Sequence, residues 1–359
     1  STLMRSSAAS DVYKRQKLDL VIPCFNEQES LPLFFEALKD VKDKMNDVSV
    51  RFIFVNDGSR DNTLGLLRDY AEKYDYVKYI SFSRNFGKEA AMLAGMKMSD
   101  AEYVGILDAD LQHSPNLIPD MMNVLINEDY DIAAARRIDR KGEAKLKSVF
   151  SKQFYKLINK ISDTGIEDGA QDFRIMKRKV VDAIISMPEY NRFSKGIFSW
   201  VGFKTKWFEH ENNSRVAGET KWSFWKLLRY ALDGIIGFST APLKISLYIG
   251  SAFSLIGIVY AIFIFIRTLI YGSDVPGYPS LICAVFVIGG LILLSLGVAG
   301  EYISRIYLEV KNRPIYIVDE TNIILIDAYH YKFKDGSGEE DYLEKYILPV
   351  VGSFDIGKN

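Results

Sequence analysis

The chain has 359 residues and a net charge of −1, so bulk charge argues against nucleic acid as a partner. At 25% charged and 48% hydrophobic residues, it is long enough for a good-sized soluble domain plus a membrane piece. Cys24 and Cys283 fall in a strand turn and in an apolar run, so no bridge is expected, and a reducing cytosolic face is the simple reading. His113, His210 and His330 are too scattered for a zinc cluster.

Residues 1–16 have no long apolar run and no strand or helix pattern, and are expected to be a disordered tail. From Leu18 short apolar runs alternate with helical patterns. Strands are expected at residues 18–23, 51–55, 79–82, 103–107 and 132–135, and helices at 29–44, 61–73, 88–98 and 116–126. This alternation predicts an α/β domain whose mostly parallel sheet is covered on both faces, with ligands gathering at the carboxyl ends of the strands. The polar clusters sit at those ends: Asn26-Glu27, Asp57-Gly58-Ser59, Ser83-Arg84-Asn85 and Asp108-Ala109-Asp110. The pattern then becomes less regular, and the soluble domain is expected to span residues 17–219.

Residues 220–243 read as an interfacial amphipathic segment. Trp222, Trp225, Leu228 and Leu232 share one side, and Lys226, Arg229 and Asp233 the other. Residues 245–266 and 275–300 contain no charge, and each run exceeds the ~20 residues needed to cross a bilayer. A two-helix transmembrane hairpin is therefore expected over 244–303. Lys244, Arg305, Lys311 and Arg313 flank it on one side and Asp274 on the other, which places both ends and the soluble domain in the cytoplasm. Residues 304–359 read as a cytoplasmic segment and solvated tail.

Asp108 and Asp110 can share one divalent metal only if the strand breaks into a turn between them, because alternate side chains of a strand diverge. Magnesium takes one or two carboxylates plus phosphate oxygens and water, which such a pair can supply. The plain alternative is a pair of helix-capping aspartates. Asp57 can accept hydrogen bonds from a base or ribose, and Gly58 lets backbone come close, although Ser59 or Asp61 would also cap the next helix. There is no G-x-G-x-x-G after the first strand and no G-x-x-x-x-G-K-[ST], so dinucleotide and P-loop readings lose support.

Several stretches together carry a family resemblance. They are Val21-Ile22-Pro23 with Asn26-Glu27, Val55-Asn56-Asp57-Gly58-Ser59, Ser83-Arg84-Asn85-Phe86-Gly87-Lys88-Glu89 and Asp108-Ala109-Asp110-Leu111-Gln112-His113. They continue through Asp172-Phe173-Arg174, Gly218-Glu219-Thr220-Lys221-Trp222, Gly300-Glu301-Tyr302 and Lys311-Asn312-Arg313-Pro314. Over residues 18–318 the chain resembles the polyprenyl-phosphate glycosyltransferases of family two, relatives of dolichyl-phosphate mannose synthase. Within them it resembles most the bacterial two-span branch called bactoprenol glucosyltransferases; both tails depart from the family.

The resemblance implies a GT-A fold and an inverting transfer of a hexose from a nucleotide diphosphate sugar, UDP-glucose, to undecaprenyl phosphate. The enzyme would be a multi-pass protein of the bacterial inner membrane. Pro23, Asn26, Glu27 and Asp57, joined by Asn85, Lys88 and Asp108, would bind the nucleotide. Asp108, Asp110 and Gln112 would hold Mg2+ or Mn2+. Asp172, with Asp110, would be catalytic; a structural pairing of Asp172 with Arg174 is the alternative. Arg136, Arg137, Lys147, Arg215 and Lys221 are the candidates for the acceptor phosphate, with a solvated basic face as the alternative.

Two rivals stay open at this point. A processive polysaccharide synthase would carry Gln-x-x-Arg-Trp and more spans, neither of which is present. A catalytically inactive sugar-nucleotide scaffold would sit poorly with an intact Asp108, Asp110 and Asp172. Whether the chain forms a homo-oligomer is left open.

Overall fold

The computed structural model describes residues 15–110, 114–137, 167, 169–187, 189–210, 236, 239–271 and 277–323. The soluble part is built on β1 (Gln16–Cys24), α1 (Leu31–Lys44), β2 (Val48–Asn56), α2 (Thr63–Lys73), β3 (Val77–Phe82), α3 (Lys88–Met98), β4 (Tyr103–Ile106), α4 (Ile118–Asn127) and β5 (Ile132–Arg137). Then come β6 (Ala170–Lys177), α5 (Arg178–Ile185), α6 (Ser194–Trp200) and β7 (Thr205–His210). The apolar helices α7 (Ala241–Tyr271) and α8 (Tyr278–Lys311) follow, and then β8 (Val318–Thr321).

The eight strands form one sheet in the order β7-β5-β6-β4-β1-β2-β3-β8. Its centre, β4-β1-β2-β3, is parallel as the alternation predicts. The sheet as a whole is mixed, because β6 inserts antiparallel between β4 and β5, and β8 closes the far edge antiparallel to β3. β1 starts at Gln16, opposite Val48, so the fold begins one residue inside the segment expected to be a tail.

Period-two side chains feed two cores. Leu18, Leu20, Ile22, Phe52 and Phe54 pack with Phe34, Phe35 and Leu38 of α1 on one face. Val21, Ile53 and Val55 pack with Ala90, Ala91 and Leu93 of α3 on the other. The small residues of α3 let it lie close on the sheet: a Cβ on Gly95 would meet Val21 at 2.2 Å.

Helices α7 and α8 have 31 and 34 residues. At ~1.5 Å per residue, each is longer than the ~30 Å hydrocarbon core of a bilayer. Both contain stretches long and apolar enough to cross a membrane, over Ala241–Tyr260 and Val287–Lys311, and neither stretch is buried within the protein. The expected interfacial segment is outside the described residues, apart from residues 236 and 239–243 at its end.

The segment after the hairpin is not a free appendage. Glu320 accepts two hydrogen bonds from Arg68 at 2.8 and 2.6 Å, and Asn322 accepts from the backbone N–H of Tyr79 at 2.8 Å. The ring of Tyr316 stacks on Phe82 at 4.9 Å, fully enclosed, and its hydroxyl has no hydrogen-bond partner among the described residues. Tyr316→Ala should therefore cost ~3 kcal/mol of stability, as aromatic truncations in cores do. Tyr316→Phe should be neutral or stabilising, because it removes a desolvated hydroxyl that gains nothing back. Thermal melts of the two variants in one detergent check this; a Phe variant that melts well below the native chain would contradict it.

Candidate active site

The parallel core delivers its polar clusters to one end of the sheet. Loops β1–α1 and β2–α2 are stitched together by their own side chains. The Asn26 backbone N–H donates to Ser59 Oγ at 2.9 Å, and Asn26 Oδ1 accepts from the Arg60 N–H at 2.8 Å. Asn26 itself takes a left-handed φ of 55°, which asparagine tolerates better than most residues. The Glu27 N–H donates to Thr63 Oγ1 at 2.9 Å. Ser59 is thus a tie between loops, while Asp61 serves the start of α2 by accepting from the Thr63 N–H at 3.1 Å. Pro23 is the penultimate residue of β1, opposite Val55, and leads into these loops.

Asp57 turns inward and is buried. Its carboxylate accepts from the Phe86 N–H at 2.6 Å and the Gly87 N–H at 2.9 Å, and Asn85 Nδ2 donates to the Asp57 carbonyl at 3.3 Å. Asp57 therefore shapes the loop of residues 83–87. Gly58 makes the approach feasible: with φ +63°, a Cβ there would meet the Arg84 backbone at 2.3 Å. Burial pushes the Asp57 carboxyl up to about 6, against the pull of the two amides and Arg84.

Strand β4 stops at Ile106, and Ala109 and Asp110 form a turn, so the break that a shared metal requires is present. Neither aspartate is the cap of the next helical turn; Ser114 accepts from the Asn116 N–H there. The antiparallel register of β6 then decides the centre of the site. Ile106 pairs with Arg174. Continued two residues, the same register sets Asp108 opposite Asp172, although 64 residues separate them in the chain.

Lys88, at the start of α3, bridges the two. Its Nζ lies 2.7 Å from Asp108 Oδ1 and 2.5 Å from Asp172 Oδ2. Side-chain exposures of 40% for Lys88, 25% for Asp108 and 17% for Asp172 leave the triad open to a ligand. Desolvation works against the charge on Asp172, yet Lys88, then Lys195, holds its carboxyl well below the usual carboxylate range. Asp108 and Asp172 likewise outweigh desolvation and raise the Lys88 ammonium above its ordinary value. Arg174 does not pair with the Asp172 carboxylate. Its guanidinium donates to the backbone carbonyls of Asp172 at 3.3 Å and Gln171 at 2.5 Å, and stacks 3.6 Å over the Phe198 ring.

The candidates for an acceptor phosphate do not come together in the same way. Arg136 is engaged by two carboxylates, Glu167 at 2.5 Å and Glu209. The Arg137 backbone N–H donates to the Gly169 carbonyl at 3.0 Å. Gln112, Lys147, Arg215 and Lys221 lie outside the described residues. Glu89, Ser194, Lys195 and Phe198 carried no role in the sequence reading. Nothing local marks the last three, and only adjacency to Lys88 would have pointed to Glu89.

Residues 19–185 match the family described as glycosyl transferase family 2, and residues 241–306 match the GtrB C-terminal hairpin. The chain is 43% identical over 304 residues to the uncharacterized glycosyltransferase sll0501 of Synechocystis, covering 85% of this chain and 95% of that one. The chain belongs to glycosyl transferase family 2.

This family-2 glycosyltransferase is also 44% identical to the putative glycosyltransferase CsbB of Bacillus subtilis, over 86% of this chain and 93% of that one. It is 42% identical to the SfII prophage-derived bactoprenol glucosyl transferase of Shigella flexneri, over 85% of this chain and 98% of that one. A solved structure of similar chain course is mannosyl-3-phosphoglycerate synthase from Rubrobacter xylanophilus. Its TM-score is 0.43 at 14% identity, over 61% of this chain and 71% of that one. The enzyme's sheet has the GT-A-like arrangement expected from the resemblance, and it is mixed where the alternation predicts a mostly parallel sheet.

Proposed function

We propose that this enzyme transfers glucose from UDP-glucose to a polyprenyl phosphate, with inversion, at the cytoplasmic face of a bacterial inner membrane. The observation that carries the reading is the union, on one chain, of the Lys88-bridged Asp108–Asp172 pair with an apolar hairpin. Two relatives that are 42% identical over 306 residues, 85% of this chain, are named as bactoprenol glucosyl transferases.

The donor set fits a hard divalent cation. Asp108 precedes the turn and Asp110 lies in it, both are partly exposed, and two carboxylates plus diphosphate oxygens suffice for Mg2+ or Mn2+. Among the described residues no third protein ligand joins them, and Gln112 lies outside. Such an ion would supply charge neutralisation of the leaving diphosphate. A phosphate oxygen of the lipid forms the new bond to the anomeric carbon, while the bond from that carbon to the UDP oxygen breaks and UDP leaves with the electron pair.

A phosphomonoester has a second pKa of about 6, so the nucleophile is already largely dianionic near neutral pH. Asp172, held well below the usual carboxylate range, is a poor proton acceptor at that pH. It serves better to orient Lys88 and the sugar than to act as a base. On this reading the nucleoside lies against Pro23, Asn26, Glu27, Asp57 and Asn85. The lipid phosphate is assigned first to Arg215 and Lys221, which precede Trp222 in the chain, and then to Arg136 and Lys147.

The decisive experiment is incubation of the purified protein with labelled nucleotide sugars and polyprenyl phosphate. A chloroform-soluble labelled sugar lipid, formed with UDP-glucose in preference to the others, is the expected product. A water-soluble polymer would overturn the reading. For orientation, a cysteine placed at Ser273 should be labelled in intact cells by a membrane-impermeant reagent and one at Ser59 should not; the opposite pattern reverses the topology.

Asp57 gives a pH prediction. As pH falls through about 6 the carboxylate takes a proton and no longer accepts well from both amides, so nucleotide affinity should drop. Folding should not drop with it on this account. A carboxyl whose pKa is raised in the folded state contributes stability below its unfolded value, and that contribution is lost as pH rises through about 6. Asp57→Asn, which sets an amide donor against an amide N–H, should bind UDP roughly tenfold more weakly and lose the pH dependence. Calorimetry between pH 5 and 8 tests this, and a flat native profile would refute it.

A further inference from the structure

Helix α6 packs beside the catalytic cluster, and one side chain from α3 holds its first residue. Glu89 follows Lys88 in the first turn of α3. Its carboxylate accepts from the Ser194 backbone N–H at 3.2 and 3.1 Å and from the Ser194 hydroxyl. Ser194 opens α6. The next residue, Lys195, acts electrostatically on Asp172. One turn on, Phe198 lies under the Arg174 guanidinium, which in turn holds the backbone carbonyls of Asp172 and Gln171. Ile197 and Phe198 also join the core that contains Ala90 and Leu93 of α3. One carboxylate therefore ties the helix that begins with Lys88 to the helix that supports the strand bearing Asp172.

We infer that Glu89 is a positioning residue for sugar transfer, clamping α6 through Ser194 so that Lys88 and Asp172 keep their mutual geometry. The inference rests on the reading of Asp172 as the carboxylate at the reacting centre. Glu89 does not touch that centre through its own carboxylate; it acts through α6. The charged groups around it are Lys88 on α3, Asp172 and Arg174 on β6, and Arg192 in the loop before α6. Burial, with Asp172 adding to it, pushes the Glu89 carboxyl up to about 7 against the Ser194 bonds and Lys88. The clamp should therefore tighten as pH rises through neutrality, when the carboxylate can accept from both Ser194 donors.

The test is steady-state kinetics of the full chain in detergent with UDP-glucose and polyprenyl phosphate, comparing Glu89→Gln, Ser194→Ala, the double variant and Asp172→Asn. Glu89→Gln should lower kcat by about tenfold or more, the scale of one charge-assisted hydrogen bond, and leave the donor KM within about twofold. Its kcat profile should lack the step near pH 7 that the native enzyme shows. Ser194→Ala should give a smaller loss, and the double variant should be no worse than Glu89→Gln alone, because both substitutions break the same clamp. Native kcat and an unchanged pH profile in Glu89→Gln would overturn the inference, as would fully additive losses. Should Glu89→Gln fail to fold, Ser194→Ala decides: full kcat there overturns the clamp. Full activity of Asp172→Asn would instead remove the underlying reading. An inactive Asp172→Asn beside a native-like Glu89→Gln would sink the clamp alone.

Discussion

Replacing Asp110 by Asn is expected to abolish transfer while leaving the hairpin in the membrane. Asp110 lies in the turn after β4, two residues beyond Asp108, so the change removes one of two carboxylates offered to a cation and alters no residue of α7 or α8. A bound metal is worth several kcal/mol of stabilisation to a leaving diphosphate. At 1.4 kcal/mol per tenfold, a loss of about three orders of magnitude in kcat follows. EDTA should act alike on the native enzyme, reversed by Mg2+ or Mn2+, and calorimetric titration of Mn2+ in the presence of UDP should lose its signal in Asp110→Asn. Full transfer in EDTA would dispose of the metal assignment.

The second large effect belongs to Lys88. Lys88→Met keeps the length of the side chain and removes the ammonium that sits between Asp108 and Asp172. Two charge-assisted hydrogen bonds are lost at about 1.5 kcal/mol or more each, which predicts roughly a hundredfold fall in kcat. Two carboxylates then face each other without their bridging ammonium, and with only Lys195 and Arg174 still acting on Asp172 its carboxyl should rise from its depressed position. The native enzyme holds Asp172 ionised until pH falls well below the ordinary carboxylate range. The variant should lose its remaining activity at a higher pH. Lys88→Arg should rescue only in part, because its longer planar fork does not superpose on an ammonium held 2.7 Å from Asp108 and 2.5 Å from Asp172. Rates from pH 4 to 8 check both parts, and a variant with near-native kcat would deny Lys88 a place in the chemistry.

Much of the fold is legible along the chain because its central strands are buried on both faces. Residues 18–23 and 51–55 read as mainly apolar runs for that reason, and α1 shows its stripe through Leu31, Phe34, Phe35 and Leu38. Strands β6, β7 and β8 are not legible in this way. Gln171, Asp172 and Arg174 place polar groups in β6 because that strand borders the site. β7 sets Trp207 and Phe208 side by side between Lys206 and Glu209, and β8 is four residues with two acids. A strand that works at an edge or at a site keeps polar side chains, and periodicity then fails to mark it.

The sequence by itself determined the two apolar helices, the parallel nucleus of the sheet and the polar clusters at its carboxyl ends, because each follows from local hydrophobic pattern. Its shared stretches also pointed to the family, and Asp-Phe-Arg singled out Asp172. Only the tertiary structure decided what Asp172 faces. The antiparallel entry of β6 beside β4 brings it opposite Asp108, and α3 lays Lys88 between them. Only the tertiary structure, too, returned the chain after the hairpin to the edge of β3, where Arg68 and Phe82 receive Glu320 and Tyr316. Both are pairings between distant segments. Strand register and edge closure depend on which backbone groups lie opposite one another in space, and no local run of residues encodes that.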